Sequence, residues 1–269
     1  MRDDMIDRVT ELVREVARTI VLPRWRRLTD SEIEEKSPGD LVTVADQESE
    51  RALTAGLTAL LPGSSVVGEE AVAADPSVLE RLDDGGPVWL VDPVDGTNNF
   101  AAGKRPFAVM VALVRDGEPT AGWILDVPDD RMVVAEAGSG AYIDGMRLKT
   151  RSDDPGAPAL TGSISRNYFP DDLRAGIDAN ASRLGLVTGG HHCAGYEYPC
   201  VATDEQQFAV FWRILPWDHT PGSLILREAG GAVLHLDGSA YRPTDPERGL
   251  LIAANHDIWH TVRGTLLSP

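Results

Sequence analysis

Apolar side chains recur at helical spacing near the start of the chain. Between residues 3 and 22 each lies three or four positions from another member of the set Met5, Ile6, Val9, Leu12, Val13, Val16 and Ile20. This spacing predicts an amphipathic helix over residues 3–22. Pro23 ends it, because proline cannot donate to the helix hydrogen-bond ladder.

A second helix is predicted from Thr43, a typical N-cap, to Leu61, where Pro62-Gly63 stops it. Before it, residues 31–40 contain a proline-glycine pair and are predicted as a turn between two extended segments.

From residue 64 the period of the apolar pattern shortens to that of strands. Residues 65–68 and 87–91 are short apolar runs that end in acidic residues, so both are predicted as strands that carry carboxylates at their C-terminal ends. An antiparallel meander is predicted to follow, with strands at 107–114, 120–126, 131–135 and 140–148.

The stretch 152–158, rich in proline, glycine and aspartate, is the predicted boundary between two halves. Beyond it strand and helix patterns alternate, which predicts a layered α/β half. We expect strands at 160–165, 185–188, 208–215, 232–236 and 250–253, and helices at 171–183, 195–203, 217–229 and 255–267.

Charge narrows the possible partners. Forty-two acidic residues against 25 lysines and arginines give a net charge of −17, which disfavours nucleic acid and anionic membranes as partners. The sequence has no run of eighteen apolar residues and no secretory signal pattern, so we expect a cytoplasmic protein without membrane partners. The two cysteines, Cys193 and Cys200, lie seven positions apart in a predicted helix, about 10 Å from each other, and are expected to remain free thiols.

The densest group of reactive side chains follows the strand at 87–91. Asp92, Pro93, Asp95, Gly96 and Thr97 come in quick succession where the strand ends and a helix can begin. Paired carboxylates suit a hard cation, and the free N–H groups of a helix start suit phosphate oxygens. Taken alone, the same residues could be only a turn followed by a helix cap.

Two more acidic groups stand at element ends. Glu69 and Glu70 follow the strand at 65–68, and Asp218 follows Trp217 at the start of a predicted helix. Each alone is better explained as solvated surface or as a helix cap.

Together these segments resemble the inositol monophosphatase family, a group of magnesium-dependent, lithium-sensitive phosphatases that includes fructose-bisphosphatases and nucleotide phosphatases. Two further segments strengthen the resemblance: residues 36–46, reading KSPGDLVTVAD, and the helix 223–231, which ends in a glycine pair. All five matches occur in the family's order and span residues 36–231.

The resemblance implies a role for each matching residue. Two or three Mg²⁺ ions would be held by Glu69, Asp92, the Val94 carbonyl, Asp95 and Asp218, with Asp92 shared between two ions. Asp46, Thr97 and Glu69 would be catalytic, with Asp46 near the Thr97 hydroxyl and the attacking water. Phosphate and substrate would contact Asp95, Gly96, Thr97, Ala194 and Asp218, and further candidates around the site are Lys36, Glu70 and Arg213.

The chemistry of the residues agrees with these implied roles. Oxygen-only ligands suit Mg²⁺ rather than zinc. Direct attack by water is expected, because the motif contains no positioned serine, cysteine or histidine nucleophile. Without metal, the clustered carboxylates should repel one another.

The resemblance also implies the fold and the assembly. We expect an α/β protein with the layered αβαβα sandwich of inositol monophosphatases and fructose-1,6-bisphosphatases. An α+β subdomain at 1–153 would carry most metal ligands, and an α/β subdomain at 154–269 would contribute Asp218 and the substrate wall. Family members are commonly homodimers, which we adopt as an expectation.

The substrate is predicted more broadly, as a small sugar-like or polyol phosphate monoester. In inositol-specific members an acidic residue shortly before the Trp-Asp pair contacts substrate hydroxyls, but residues 211–216 contain no carboxylate. Arg213 stands there instead and could meet a second anionic group, or could simply be an exposed strand residue. The alternatives are histidinol phosphate, fructose 1,6-bisphosphate or a 3′-phosphoadenosine compound, a regulatory or binding protein that keeps the fold, and a structural calcium-binding protein.

Overall fold

The computed structural model describes residues 3–245 and 249–268. Helix α1 spans Asp3–Val16 and continues as a π-helical turn at Ala17–Val21, which confirms the predicted N-terminal helix. A hairpin of β1 (Ile33–Ser37) and β2 (Asp40–Thr43) then leads into helix α2 (Val44–Leu60), as the turn and capping signals predicted.

A seven-stranded sheet occupies most of the first half, in the order β3-β4-β5-β6-β7-β8-β9. Its first two strands are parallel and the remaining pairs are antiparallel, which confirms the predicted meander. The strands are β3 (Ser65–Gly68), β4 (Val88–Asp95), β5 (Ala108–Arg115), β6 (Glu118–Asp126), β7 (Arg131–Glu136), β8 (Gly140–Ile143) and β9 (Met146–Arg147).

Two short helices follow strands of this sheet directly. Helix α3 (Glu69–Ala74) begins at the residue after β3, and helix α4 (Thr97–Ala101) begins two residues after β4. The sequence pattern did not predict α3, nor the 3₁₀ segment Pro76–Asp83 that follows it.

The second half contains a five-stranded mixed sheet in the order β11-β10-β12-β14-β13. Its strands are β10 (Gly162–Ile164), β11 (Val187–Thr188), β12 (Phe208–Phe211), β13 (Ala232–His235) and β14 (Leu250–Ala253). Its helices are α5 (Asp171–Ala181), α6 (Ala194–Ala202), α7 (Pro216–Ala229) and α8 (His256–Leu266).

The helices and sheets stack in five layers. Helices α1 and α2 contact the large sheet, α6 and α7 lie between the two sheets, and α5 and α8 pack together beside the small sheet. This is the predicted αβαβα sandwich. A single apolar cluster joins Met110 and Ile124 of the large sheet to Ile225 of α7 and Leu251 of the small sheet. The burial of this apolar cluster holds both sheets against the central helices.

Several predicted strands are shorter than expected. Strands β10 and β11 cover only part of 160–165 and 185–188, and the predicted strand 140–148 is divided into β8 and β9. The difference with consequences for the pocket is at 208–215. The apolar run 208–215 was predicted as a single strand, but β12 ends at Phe211, which pairs with Leu250, the first residue of β14. The chain then turns into α7, whose first residue is Pro216. The carbonyl of Arg213 accepts a hydrogen bond from the His219 ring instead of a strand neighbour (Nε2 to O, 3.2 Å).

Both cysteines are buried free thiols, as predicted. Within residues 3–245 and 249–268, every helix is too short or too polar to cross a bilayer. The division of the chain at residue 153 stays a prediction.

Candidate active site

A pocket of about 430 Å³ opens where the C-terminal end of β4 meets the start of α7. All five predicted metal-binding residues line it: Glu69, Asp92, Val94, Asp95 and Asp218. So do Gly96, Thr97, Ala194 and Arg213. Segments far apart in sequence are thus brought together by the meeting of the two sheets.

Strand β4 delivers two carboxylates because its pairing is irregular. The register with β5 shifts between Asp92 and Asp95, around Pro93, which has no N–H to give to the ladder. Asp92 Oδ1 accepts a hydrogen bond from the Val94 amide at 3.0 Å. Residues three apart on a regular strand would face opposite sides of the sheet, whereas the irregularity lets both side chains line one pocket.

Asp95 is fixed by the start of α6. Its Oδ2 accepts hydrogen bonds from the Gly195 amide at 2.5 Å and from the Cys193 thiol at 3.1 Å. Burial raises the pKa of Asp95 to about 6, although the hydrogen bonds from Gly195 and Cys193 oppose this shift. Glycine is needed at 195, because a Cβ there would lie 2.7 Å from the Ala108 side chain.

Asp218, near the start of α7, lines the same pocket as Asp92. Burial, then the charges of Asp95 and Glu69, raises the pKa of Asp218 well above its usual range. Burial, then the charges of Glu69, Asp95 and Asp218, does the same for the pKa of Asp92. Buried carboxylates that repel one another are stabilised when they share a proton or bind a cation.

Glu69 and Glu70 face a lysine from the β1–β2 hairpin. Lys36 Nζ donates to Glu69 Oε1 at 2.7 Å and to Glu70 Oε1 at 3.0 Å. Burial opposes the charged form of Lys36, but the two glutamates outweigh it and raise the pKa of the lysine. Burial and the charge of Glu69 raise the pKa of Glu70 to about 7.

The donor set fits a hard divalent cation, since the ligands offered are carboxylates and one carbonyl. Among the described residues, however, no three acidic, histidine or cysteine side chains already have the spacing of a metal-binding cluster. In this arrangement Glu69 pairs with Lys36, and Asp92 and Asp95 each accept backbone hydrogen bonds through one carboxylate oxygen.

Asp46 lies beside Thr97, as predicted. The Thr97 hydroxyl is 3.1 Å from Asp46 Oδ1 and 2.9 Å from the Val94 carbonyl. Asp46 Oδ2 also accepts from the Thr43 amide at 2.8 Å and the Thr43 hydroxyl at 2.5 Å, which forms the capping box of α2. Burial raises the pKa of Asp46 to about 6, against the opposing Thr43 hydrogen bonds.

Glu50 supports the site and was not predicted. This buried carboxylate on α2 accepts from the backbone amides of Glu70 at 2.7 Å and Ala71 at 2.8 Å, so it caps the first turn of α3. A Cβ at residue 68 would lie 2.3 Å from the Glu50 carboxyl carbon, which explains the glycine before the glutamate pair. The available signal was a charged residue one helical turn after Asp46.

Glu197, on α6, is a second buried carboxylate that the sequence did not reveal. It accepts from the Ser163 hydroxyl at 2.8 Å, from Gln206 Nε2 at 2.5 Å and from the His191 amide at 2.7 Å. Burial opposes ionisation, but the hydrogen bonds, led by that of the His191 ring, lower the pKa of Glu197. This network fixes the loop before α6, including His192, which lines the pocket.

Comparison with known proteins agrees with this geometry. The model of the inositol monophosphatase family matches residues 1–267. An inositol-1-monophosphatase from Bacillus subtilis is 30% identical over 256 residues, covering 92% of this chain and 94% of its own. A fructose-1,6-bisphosphatase/inositol-1-monophosphatase from Thermotoga maritima is 28% identical and covers 87% of this chain and 86% of its own. A staphylococcal inositol monophosphatase II with bound inositol monophosphate superposes with a TM-score of 0.77 at 26% identity, covering 97% of this chain and 94% of that structure.

Proposed function

This chain belongs to the inositol monophosphatase family and is a metal-dependent phosphatase. On this premise we propose that the protein uses Mg²⁺ to hydrolyse a small sugar-like or polyol phosphate monoester by direct attack of water. The observation that carries this proposal is the meeting of four acidic residues, Glu69, Asp92, Asp95 and Asp218, in one pocket.

Two or three magnesium ions would be held by the acidic residues and the Val94 carbonyl. Glu69, Asp92 and Val94 would hold one ion, and Asp92, Asp95 and Asp218 a second. When bound, the cations would offset the negative charge of the ester and lower the pKa of the attacking water. The raised pKa values of Asp92 and Asp218 support this assignment, because a bound cation favours their ionised forms.

Thr97 and Asp46 would move the proton of the attacking water. The Thr97 hydroxyl can donate to Asp46, which leaves its oxygen free to accept from a water in the pocket. Asp46, with its pKa at about 6, is ionised at neutral pH yet basic enough to receive a proton. In this arrangement Asp46 acts through Thr97 and positions it.

The phosphate group would be received by the backbone at the end of β4. Gly96 has a φ of +84°, a left-handed conformation that favours glycine. A Cβ at this residue would lie 3.1 Å from the Pro106 carbonyl oxygen. The amides of Gly96 and Thr97 would bind phosphate oxygens there, with Ala194 against the alcohol part of the substrate.

A panel of esters tests the proposal. Metal-stripped protein is assayed for phosphate release from inositol 1-phosphate, glycerol 2-phosphate, histidinol phosphate, fructose 1,6-bisphosphate and 3′-phosphoadenosine 5′-phosphate, each with and without Mg²⁺. We expect hydrolysis only with Mg²⁺, loss of activity in Asp95→Asn, and full activity in Asp178→Asn, which changes an exposed aspartate on α5. Equal hydrolysis in the presence of a chelator, or activity in Asp95→Asn, would refute the mechanism.

The names of the relatives support both an inositol phosphate and fructose 1,6-bisphosphate as members of this panel. Sensitivity to Li⁺ and a homodimeric assembly stay predictions from the family.

A further inference from the structure

Arg213 places a positively charged guanidinium group in a pocket that is otherwise rich in carboxylates. Its side chain is 31% exposed and lines the same pocket as Asp92 and Asp218. The short segment after β12 carries it there, since the chain leaves the sheet at Phe211. A continued strand, as the sequence predicted, would have kept this residue in the sheet.

The backbone of Arg213 is held by a buried histidine. His219 Nε2 lies 3.2 Å from the Arg213 carbonyl, and its Nδ1 lies 3.1 Å from the Tyr198 hydroxyl. A carbonyl oxygen can only accept a hydrogen bond, so the His219 ring donates through Nε2 to Arg213 and presents Nδ1 to the Tyr198 hydroxyl.

The guanidinium is held in place but leaves donors available. It lies over the Tyr168 ring, 4.8 Å from the centroid, and Tyr168 is 61% exposed. Within the described residues, the only carboxylate oxygen closer than 4 Å belongs to Asp40, at 3.7 Å, which is too long for a hydrogen bond. Trp212, next to it, packs on Phe169 with ring centroids 5.3 Å apart.

A planar guanidinium with free donors suits a carboxylate or a phosphate, which it can bind through two parallel hydrogen bonds. A neutral polyol offers no such partner. The site proposed above for the ester phosphate is the end of β4. An ordered arginine elsewhere in the pocket therefore matches a second anionic group on the alcohol part of the substrate.

We propose that Arg213, stacked on Tyr168 and positioned by His219, is a subsite for a second anion, and that the substrate is a phosphate monoester with a further carboxylate or phosphate group. This inference rests on the proposed function and narrows its substrate class.

Matched substrates test the subsite. kcat/KM at saturating Mg²⁺ is measured for 3-phosphoglycerate against glycerol 3-phosphate, and for fructose 1,6-bisphosphate against fructose 1-phosphate. The proteins are wild type, Arg213→Gln, Arg213→Lys, and Arg174→Gln, which removes a half-exposed arginine that pairs with Asp171 on α5. Comparing two substrates on one protein cancels any effect of the substitution on metal binding.

We expect wild type and Arg174→Gln to prefer the doubly anionic member of at least one pair. Arg213→Gln should lower kcat/KM for that member by about 10- to 100-fold and leave its partner within about threefold. Arg213→Lys should fall between, because lysine keeps the charge but not the paired donors. Lack of a preference in wild type, or an equal loss for both members in Arg213→Gln, would overturn the subsite.

Hydrolysis of p-nitrophenyl phosphate separates this inference from the proposed function. If wild type cleaves it with Mg²⁺ but shows no preference within either pair, only the subsite fails. If wild type cleaves none of these esters with Mg²⁺, the proposed function itself fails.

Discussion

The stability of the metal-free protein should fall as the pH rises from 4.5 to 7, and Mg²⁺ should restore it. The buried carboxylates provide the reason. Burial raises the pKa of Asp46 from 3.8 to about 6, the pKa of Asp95 to about 6 and that of Glu70 to about 7. Within this window the native state binds more protons than the unfolded chain, so stability decreases with pH.

The size of the effect follows from the shifts. Asp46 is fully buried, and a rise of about two pKa units corresponds to about 3 kcal/mol of stability lost when it ionises. Asp95 adds to this, although the interacting carboxylates do not contribute independently. Glu197 acts in the opposite direction, because its pKa is lowered and its contribution disappears only as the pH falls below 4.5.

Urea unfolding followed by tryptophan fluorescence gives the free energy of unfolding at each pH. In chelator we expect a decrease of several kcal/mol between pH 4.5 and 7, on the order of the Asp46 shift. Asp46→Asn should show a smaller decrease, because the amide does not titrate. Millimolar Mg²⁺ should stabilise the protein more at pH 7 than at pH 4.5. A flat or rising profile in chelator, or equal stabilisation by Mg²⁺ at both pH values, would refute the reasoning.

Two further predictions concern proton transfer and packing. Thr97→Val removes the hydroxyl beside Asp46 and should lower kcat by about 100-fold while the Mg²⁺-dependent gain in stability persists; wild-type kcat would exclude the relay. Gly222→Ala would place a Cβ 2.2 Å from the buried Tyr198 ring and should lower the free energy of unfolding in urea by about 2 kcal/mol or more. Its control is Gly176→Ala on α5, an exposed helix position with free space, which should raise the free energy of unfolding by about 0.5–1 kcal/mol. An equal effect of the two substitutions would contradict the packing described around α7.

Sequence reasoning predicted the parts of the site that stand in short motifs or that match the family's segments. Asp92 and Asp95 stand in a short motif at a strand end, and the pairing of Asp46 with Thr97 was expected from the family resemblance. Glu50 and Glu197 were missed because their partners lie in other segments, at Glu70 and Ser163 among others. From sequence alone a carboxylate is assigned to the protein surface, because the groups that donate hydrogen bonds to it when it is buried are not known.

The fold followed the apolar pattern except where tertiary contacts override it. The run 208–215 has the composition of a strand, but its neighbour β14 begins opposite Phe211 and Pro216 starts a helix. The contact between His219 and the Arg213 carbonyl, which shapes this turn, joins residues six positions apart and leaves no periodic signal.

The central claim is that acidic side chains from separate segments hold divalent cations in this pocket. Anomalous difference density from crystals of active protein soaked in Mn²⁺, a substitute for Mg²⁺, tests it most directly. We predict at least two peaks, with Asp92 contacting both and Glu69, Asp95 and Asp218 as the other acidic ligands. Active protein whose Mn²⁺ density lies outside this pocket would contradict the account.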